Sequence, residues 1–229
     1  MSFDRYTDSY RDAVEESIAF AGGDAARYVG AKARMLVDLG RRRIGDPAAL
    51  RALDVGCGPG ETDAFLEGDF ASLHGVDLSE PMVEVAAERN PWATYSAYEE
   101  GEPLPYEDEA FDISFAICVF HHVPVDARPS LVGEMERVTG RDGLVVIFEH
   151  NPWNPLTRKA VRDCPFDEDA RLLSRPATRR LIAGAGLAHV ESPFIIFFPR
   201  QGPRLERVES RLGWVPIGAQ YYVAGRRDG

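Results

Sequence analysis

Three groups of residues in this chain have the types and spacing to do chemistry. The first is Leu53-Asp54-Val55-Gly56-Cys57-Gly58-Pro59-Gly60, an apolar run entering a turn with three glycines and leaving it through Glu61-Thr62-Asp63, which reads as a helix start. Glycine is needed where backbone takes a positive φ or must approach a ligand closely. The acids Asp54, Glu61 and Asp63, with Pro59 in the turn, would repel a pyrophosphate yet tolerate an ammonium and a sulfonium. Asp77 closes the next apolar run, where an acidic side chain can accept hydrogen bonds from both hydroxyls of a ribose. A ligand with a ribose and a positive charge fits S-adenosyl-L-methionine. The second group is His121-His122, directly after the apolar run Phe111 to Val119. Imidazole suits proton removal near neutrality, which makes one of the two a candidate general base; the alternative is that the pair caps a strand or packs under the ligand. The third group is Glu149-His150 with the following Asn151-Pro152-Trp153-Asn154-Pro155-Leu156-Thr157-Arg158. Here His150, Trp153 and Arg158 would give an acceptor a hydrogen bond, a stacking face and an anion clamp, unless the loop is only a rigid crossover with Trp153 covering the sheet.

The elements that must position these groups alternate in kind. Ala52 to Val55, Leu73 to Leu78, Thr94 to Ala97, Phe111 to Val119 and Leu144 to Phe148 read as strands, separated by stretches that could be helical, such as Pro81 to Arg89 and Leu131 to Val138. Strands apolar on both faces and alternating with helices describe an α/β fold, a parallel sheet covered on each side. In such sheets ligands bind at the carboxyl ends of the strands, where the glycine turn, Asp77 and the histidine pair all fall. Upstream, Asp12 to Leu39 carries apolar residues at helical spacing (Ile18, Val29, Ala33, Leu36, Val37) broken at Gly22-Gly23, which predicts two helices. The aromatics Tyr6 and Tyr10 precede them in a segment that could fold over a bound ligand as a lid. Downstream, Asn151 to Asp169 reads as a loop or lid and Thr178 to Ala185 as a helix. Val190 to Phe198 and Gln220 to Val223 read as antiparallel neighbours at the sheet edge, with no long helical pattern between them.

The ordered set of motifs resembles the class I S-adenosylmethionine-dependent methyltransferases, in particular the small-molecule type 11 group. LDVGCGPG is similar to the family's first motif, HGVDLSEPMVEVA to its second, FDISFAICVFHHV to its fourth-strand segment and VPIGAQYYVAGR to its last strand. The resemblance implies a doubly wound, mostly parallel, seven-stranded Rossmann-like sheet whose last strand is inserted antiparallel. It further implies that Gly56, Cys57, Gly58 and Gly60 line the methionine end of S-adenosyl-L-methionine, with Asp54 at the base of the turn. Asp77, Leu78 and Met82 would hold the ribose and flank the adenine, Ala116, Ile117 and Cys118 would pass beneath, and Glu99 or Glu100 would meet the adenine amino group. One domain over 1–229 is expected: an N-terminal helical lid (1–45, with Tyr6 toward the cofactor), a cofactor-binding half (46–150), and a substrate-side loop with C-terminal strands (151–229).

Methyl transfer from a sulfonium is an in-line displacement, served by holding the acceptor about 3 Å away in a water-poor pocket. The acceptor expected is a small organic molecule, methylated at O, N or C. The chain has 229 residues and a formal charge of -11, an acidic balance that gives no electrostatic footprint for nucleic acid. No apolar run is long enough to span a membrane, and three scattered cysteines (Cys57, Cys118, Cys164) suit a reducing compartment, so a cytoplasmic location is expected. Cys57 and Cys118 read as small apolar fillers. The run Asp163 to Asp169 reads as helix-start charge, and no His or Cys has close metal-ligand spacing, so no metal is expected. The rival functions are a nicotinamide-dependent oxidoreductase on the same half-sheet and a catalytically silent cofactor-binding module.

Overall fold

A computed structural model describes residues 10–19, 25–198 and 203–228. Its elements run α1 (Tyr10–Ser17), α2 (Ala25–Arg43), β1 (Arg51–Val55), β2 (Ser72–Asp77), α3 (Glu80–Arg89), β3 (Thr94–Ala97), β4 (Phe111–Ile117), α4 (Arg128–Val138) and β5 (Thr139–His150). They continue with α5 (Pro155–Asp163), α6 (Arg175–Gly184), β6 (Ala188–Glu191), β7 (Phe194–Ile195), α7 (Pro203–Leu212) and β8 (Gln220–Arg226). The strands form one sheet in the order β3-β2-β1-β4-β5-β8-β6, with β7 paired to β8. Strands β3, β2, β1, β4 and β5 are parallel; β8 lies antiparallel between β5 and β6. The expected seven-stranded path is therefore present, with a two-residue strand added. The order reverses between β1 and β4, and that switch point opens a crevice at the strand ends.

Period-two alternation divides the core. Leu144, Val146 and Phe148 of β5 join Leu36, Leu39 and Phe115 on the face covered by α2, while Val145 and Ile147 join Val132, Met135 and Tyr221 on the face covered by α4 and α6. The boundaries of α3 follow from its caps: the Ser79 hydroxyl accepts from the Met82 N–H and Pro81 occupies the first turn.

Several expectations fail in instructive ways. Glu61-Thr62-Asp63 starts no α-helix; the β1–β2 crossover contains only a 3-10 turn at Asp63–Phe65. Asp63 is drawn inward to accept from the Tyr95 hydroxyl at 2.8 Å, which ties the segment to β3, and Phe65 packs against Gly30 of α2. The stretch Asn151 to Asp169 is not all loop, because the Asn154 side chain accepts from Leu156 and Thr157 N–H and starts α5. The run Asp163 to Asp169 starts no helix either; the next one, α6, begins at Arg175. The run Val190 to Phe198 pairs antiparallel with β8 as expected, but it is split into β6 and β7, α7 occupies the following gap, and β6 rather than β8 is the edge strand. Among the described residues no helix is long and apolar enough to cross a membrane.

Tyr221 anchors β8 to α6. It is fully buried, its hydroxyl lies 2.8 Å from that of Thr178, and it donates to the Leu173 carbonyl at 2.9 Å. Tyr221→Phe is expected to cost about 1–2 kcal/mol, because the Leu173 carbonyl loses its donor, the Thr178 hydroxyl loses its acceptor, and no cavity forms; a denaturant midpoint unchanged from wild type would contradict that anchoring role.

Candidate functional site

The crevice at the switch point is a cavity of about 940 Å³. One end is built by the turn after β1. Gly56 and Gly60 have φ of 77° and 67°. A Cβ on Gly56 would come within 2.6 Å of Val119, and one on Gly60 within 2.5 Å of the Asn90 amide, so each must be glycine for conformation and for packing. Asp77 fixes the turn to the end of β2: its carboxylate accepts from the Gly58 N–H at 2.9 Å and from the Ser79 N–H at 3.0 Å. Asp54, Gly56, Cys57, Gly58, Asp77, Leu78 and Met82 all border the cavity.

Other expected cofactor residues divide. Gly60 lies behind the turn, where its carbonyl accepts from Asn90. Ala116 is fully buried in the core rather than on the cavity wall, since alternation along β4 leaves Ile117 and the bend at Cys118 to face the opening. Glu100 borders the cavity and Glu99 does not, while Tyr98, unforeseen, does. Tyr6 lies outside the described residues.

Beneath the turn, Asp54 and Asp63 are both buried, and each leaves one carboxyl oxygen without a hydrogen-bond partner. Burial and then the charge of Asp63 raise Asp54 well above the usual carboxylate range; burial lifts Asp63 to about 6, against the hydrogen bonds from Tyr95 and Asp54. Asp54 therefore adds less negative charge beneath the turn than its place in the sequence suggested.

The other end of the cavity is built by β4, β5, β8 and the segment after α5. Glu149, fully buried at the end of β5, accepts from the backbone N–H of His121 (3.2 Å) and His150 (3.2 Å), and lies 2.8 Å from His121 Nδ1. Asp167 is 3.5 Å from His121 Nε2 and 3.2 Å from His122 Nε2. Burial would make His121 less basic, but Glu149 and Asp167 outweigh it and raise it to about 10; burial leaves His122 below the ordinary histidine value. Lys32, unforeseen, is buried with its ammonium 3.8 Å from Cys118 Sγ, and the Gln220 amide donates to the same sulfur at 3.4 Å. Against the cost of burial, Lys32 and His150 bring the Cys118 thiol down to about 7, so Cys118 is no inert filler. A lysine inside the apolar stripe of α2, between Val29, Ala33 and Leu36, was the available signal.

His121, His122 and His150 therefore meet at one end of the cavity, as their strand-end positions suggested. Trp153 and Arg158 do not join them. Trp153 is 71% exposed, because the Asn151 side chain accepts from its N–H and donates to the Pro216 and Gly218 carbonyls, turning the chain outward. In α5 the helical period presents Thr157, Ala160 and Val161 to the cavity and Arg158 to solvent. Asp167 and its neighbours fold back through the Arg171 N–H, which donates to the His121 carbonyl at 2.8 Å. The separation in sequence that argued against a metal thus does not hold in space.

A family profile described as a methyltransferase domain matches residues 53–147. The chain is 33% identical over 186 residues to demethylmenaquinone methyltransferase of Streptomyces griseus, covering 77% of this chain and 74% of that protein. It is 34% identical over 132 residues to trans-aconitate 2-methyltransferase of Variovorax paradoxus, covering 55% of this chain; the chain spans about half the length of that relative, 50%. In structure it resembles a possible histamine N-methyltransferase from Thermotoga maritima, with a TM-score of 0.66 at 18% identity over 99% of this chain and 98% of that one.

The buried carboxyl pair has a measurable consequence. A folded-state value raised above the unfolded one means the folded chain holds the extra proton, so stability falls as pH rises from about 4 through about 6. Asp63→Asn keeps an acceptor for Tyr95 and gives Asp54 a donor. It is expected to raise stability at pH 8 by about 1–3 kcal/mol and to flatten that pH dependence. Thermal melts from pH 4 to 8 would read this, and a variant less stable than wild type at pH 8 would reject it.

Proposed function

The chain belongs to the class I S-adenosylmethionine-dependent methyltransferases, and from that premise we propose that it transfers a methyl group from S-adenosyl-L-methionine to a small organic acceptor. One observation carries the reading: a single cavity joins the glycine turn and Asp77 at one end to a cluster of histidines at the other. The residues present fit the cofactor. Gly58 borders the cavity with nothing within 4 Å of where a Cβ would stand, the Asp77 carboxylate lies at the end of β2 where a ribose would reach it, and acidic Asp77 and Glu61 suit a cationic ligand. Bound there, S-adenosyl-L-methionine supplies an electrophilic methyl group on a sulfonium.

The chain's own residues then have separable tasks. Asp77 and the Gly58 backbone orient the nucleoside. The apolar wall of Ile117, Val119, Leu131, Ile196 and Phe197 excludes water from the approach line. His122 takes the acceptor's proton, if one must leave. It is the better placed of the pair, because its side chain is 21% exposed on the cavity wall, whereas that of His121 is 2% exposed and held between Glu149 and Asp167. His121 is a positioning residue. The acceptor is bounded by Asn154, Leu156, Thr157 and Phe166, with His150 and Lys32 as polar groups. Relatives named for demethylmenaquinone and trans-aconitate support a small-molecule acceptor. The oxidoreductase alternative has no support in the family or in the charge of the turn.

Asp77→Ala is expected to weaken S-adenosylhomocysteine binding at least tenfold, about 1.4 kcal/mol, measured by calorimetry. An unchanged affinity would remove Asp77 from the site. His122→Ala should leave that affinity within about twofold while lowering turnover at least about 100-fold on an acceptor found by screening metabolites for methylation. Tight cofactor binding with no methylated product across the panel would instead favour a silent binding module.

A further inference from the structure

The densest set of side chains whose joint chemistry this reading leaves unused is His121, His150 and Asp167. Each offers one ligand atom, and the three atoms lie within 4.8 Å of one another. His121 Nε2 and Asp167 Oδ1 are 3.5 Å apart, close to the spacing of two ligands that share one ion at about 2.1 Å. Asp167 is buried, its side chain 7% exposed, and its Oδ1 has no hydrogen-bond partner although it faces two imidazoles. The charge of that oxygen is met by the two imidazoles, and a metal ion bound between the ligand atoms would take over that role.

The surroundings are those of a ligand set. Glu149 engages His121 Nδ1, which directs Nε2 toward Asp167; a carboxylate behind a histidine is the usual support of a metal-bound imidazole. The same Glu149 accepts from the His150 backbone N–H, so one buried carboxylate places both imidazoles. Two buried carboxylates, Glu149 and Asp167, face His121, so a divalent ion that takes the place of its Nε2 proton would be met by both.

We propose that His121, His150 and Asp167 form a binding site for a divalent first-row transition cation at the acceptor end of the cavity. Two imidazoles and one carboxylate favour Zn2+, Mn2+, Fe2+ or Co2+ over Mg2+ or Ca2+, which prefer all-oxygen shells. His150, partly exposed on the wall, would shift toward the other two ligands to close the triangle. Three protein ligands leave positions open to the cavity, where an oxygen of the acceptor would bind and become a stronger nucleophile as its proton leaves to His122. The site thus deepens the methyltransferase reading by favouring an acceptor that presents a hydroxyl or enol oxygen.

The test is cobalt binding to the full chain after chelator treatment, followed by visible absorption and calorimetry, with S-adenosylhomocysteine binding measured on the same samples. One Co2+ per chain, displaced by Zn2+ and weakened at least tenfold in both Asp167→Asn and His150→Gln, is expected. Absent cobalt binding, or binding that both variants retain while melting like wild type, would overturn the site. Loss of S-adenosylhomocysteine binding with cobalt binding intact would overturn the cofactor reading instead, so the two failures are distinct.

Discussion

The site rests on the bond between the Asp77 carboxylate and the N–H groups of Gly58 and Ser79. It joins two neighbouring strand ends, β1 through the turn and β2 directly, and gives α3 its start, because Ser79 is also the residue that caps that helix. An acidic side chain can do this only where backbone donors converge, and the positive φ of Gly58 is part of what aims its N–H at the carboxylate. The glycine-turn end of the cavity takes its shape from that joint. Behind it, Gly60, Asn90, Tyr95 and Asp63 form a buried polar network that holds the turn against α3 and β3.

The opposite end depends on Glu149 in the same way. A carboxylate fully buried at a strand end would be costly alone; here it is engaged by two backbone donors and by His121. That arrangement makes His121 a fixed element and leaves His122, its neighbour in sequence, as the group on the cavity wall. Lys32 and Cys118 illustrate a similar pairing of buried groups. The sulfur sits at a residue with φ of 60°, a conformation that a cysteine adopts only when its surroundings require it, and the lysine reaches it from α2 on the covering layer.

The alternation of apolar runs and helices, the glycine turn and Asp77 were all legible in the amino-acid order, because they depend on local period and on residues a few positions apart. The histidines were legible as strand-end residues but not as a cluster. Trp153 and Arg158 were misread because composition says that a loop is polar and stiff, whereas the face each side chain presents is set by where α5 begins. Lys32 and Asp167 were missed for a related reason: a single lysine in an apolar stripe and a run of acids both have commoner explanations.

By itself, the order of residues determined the α/β class, the glycine turn after β1 and the acidic residue at the end of β2, since these follow from backbone conformation and strand periodicity. Tertiary structure alone decided which titratable groups share a site. His121, His150 and Asp167 come from three separate segments, and only the crossing of β4 and β5 with the chain that folds back after α5 brings their ligand atoms within reach of one ion. Distance between side chains is a property of packing, and packing is fixed by the sheet order rather than by separation along the chain.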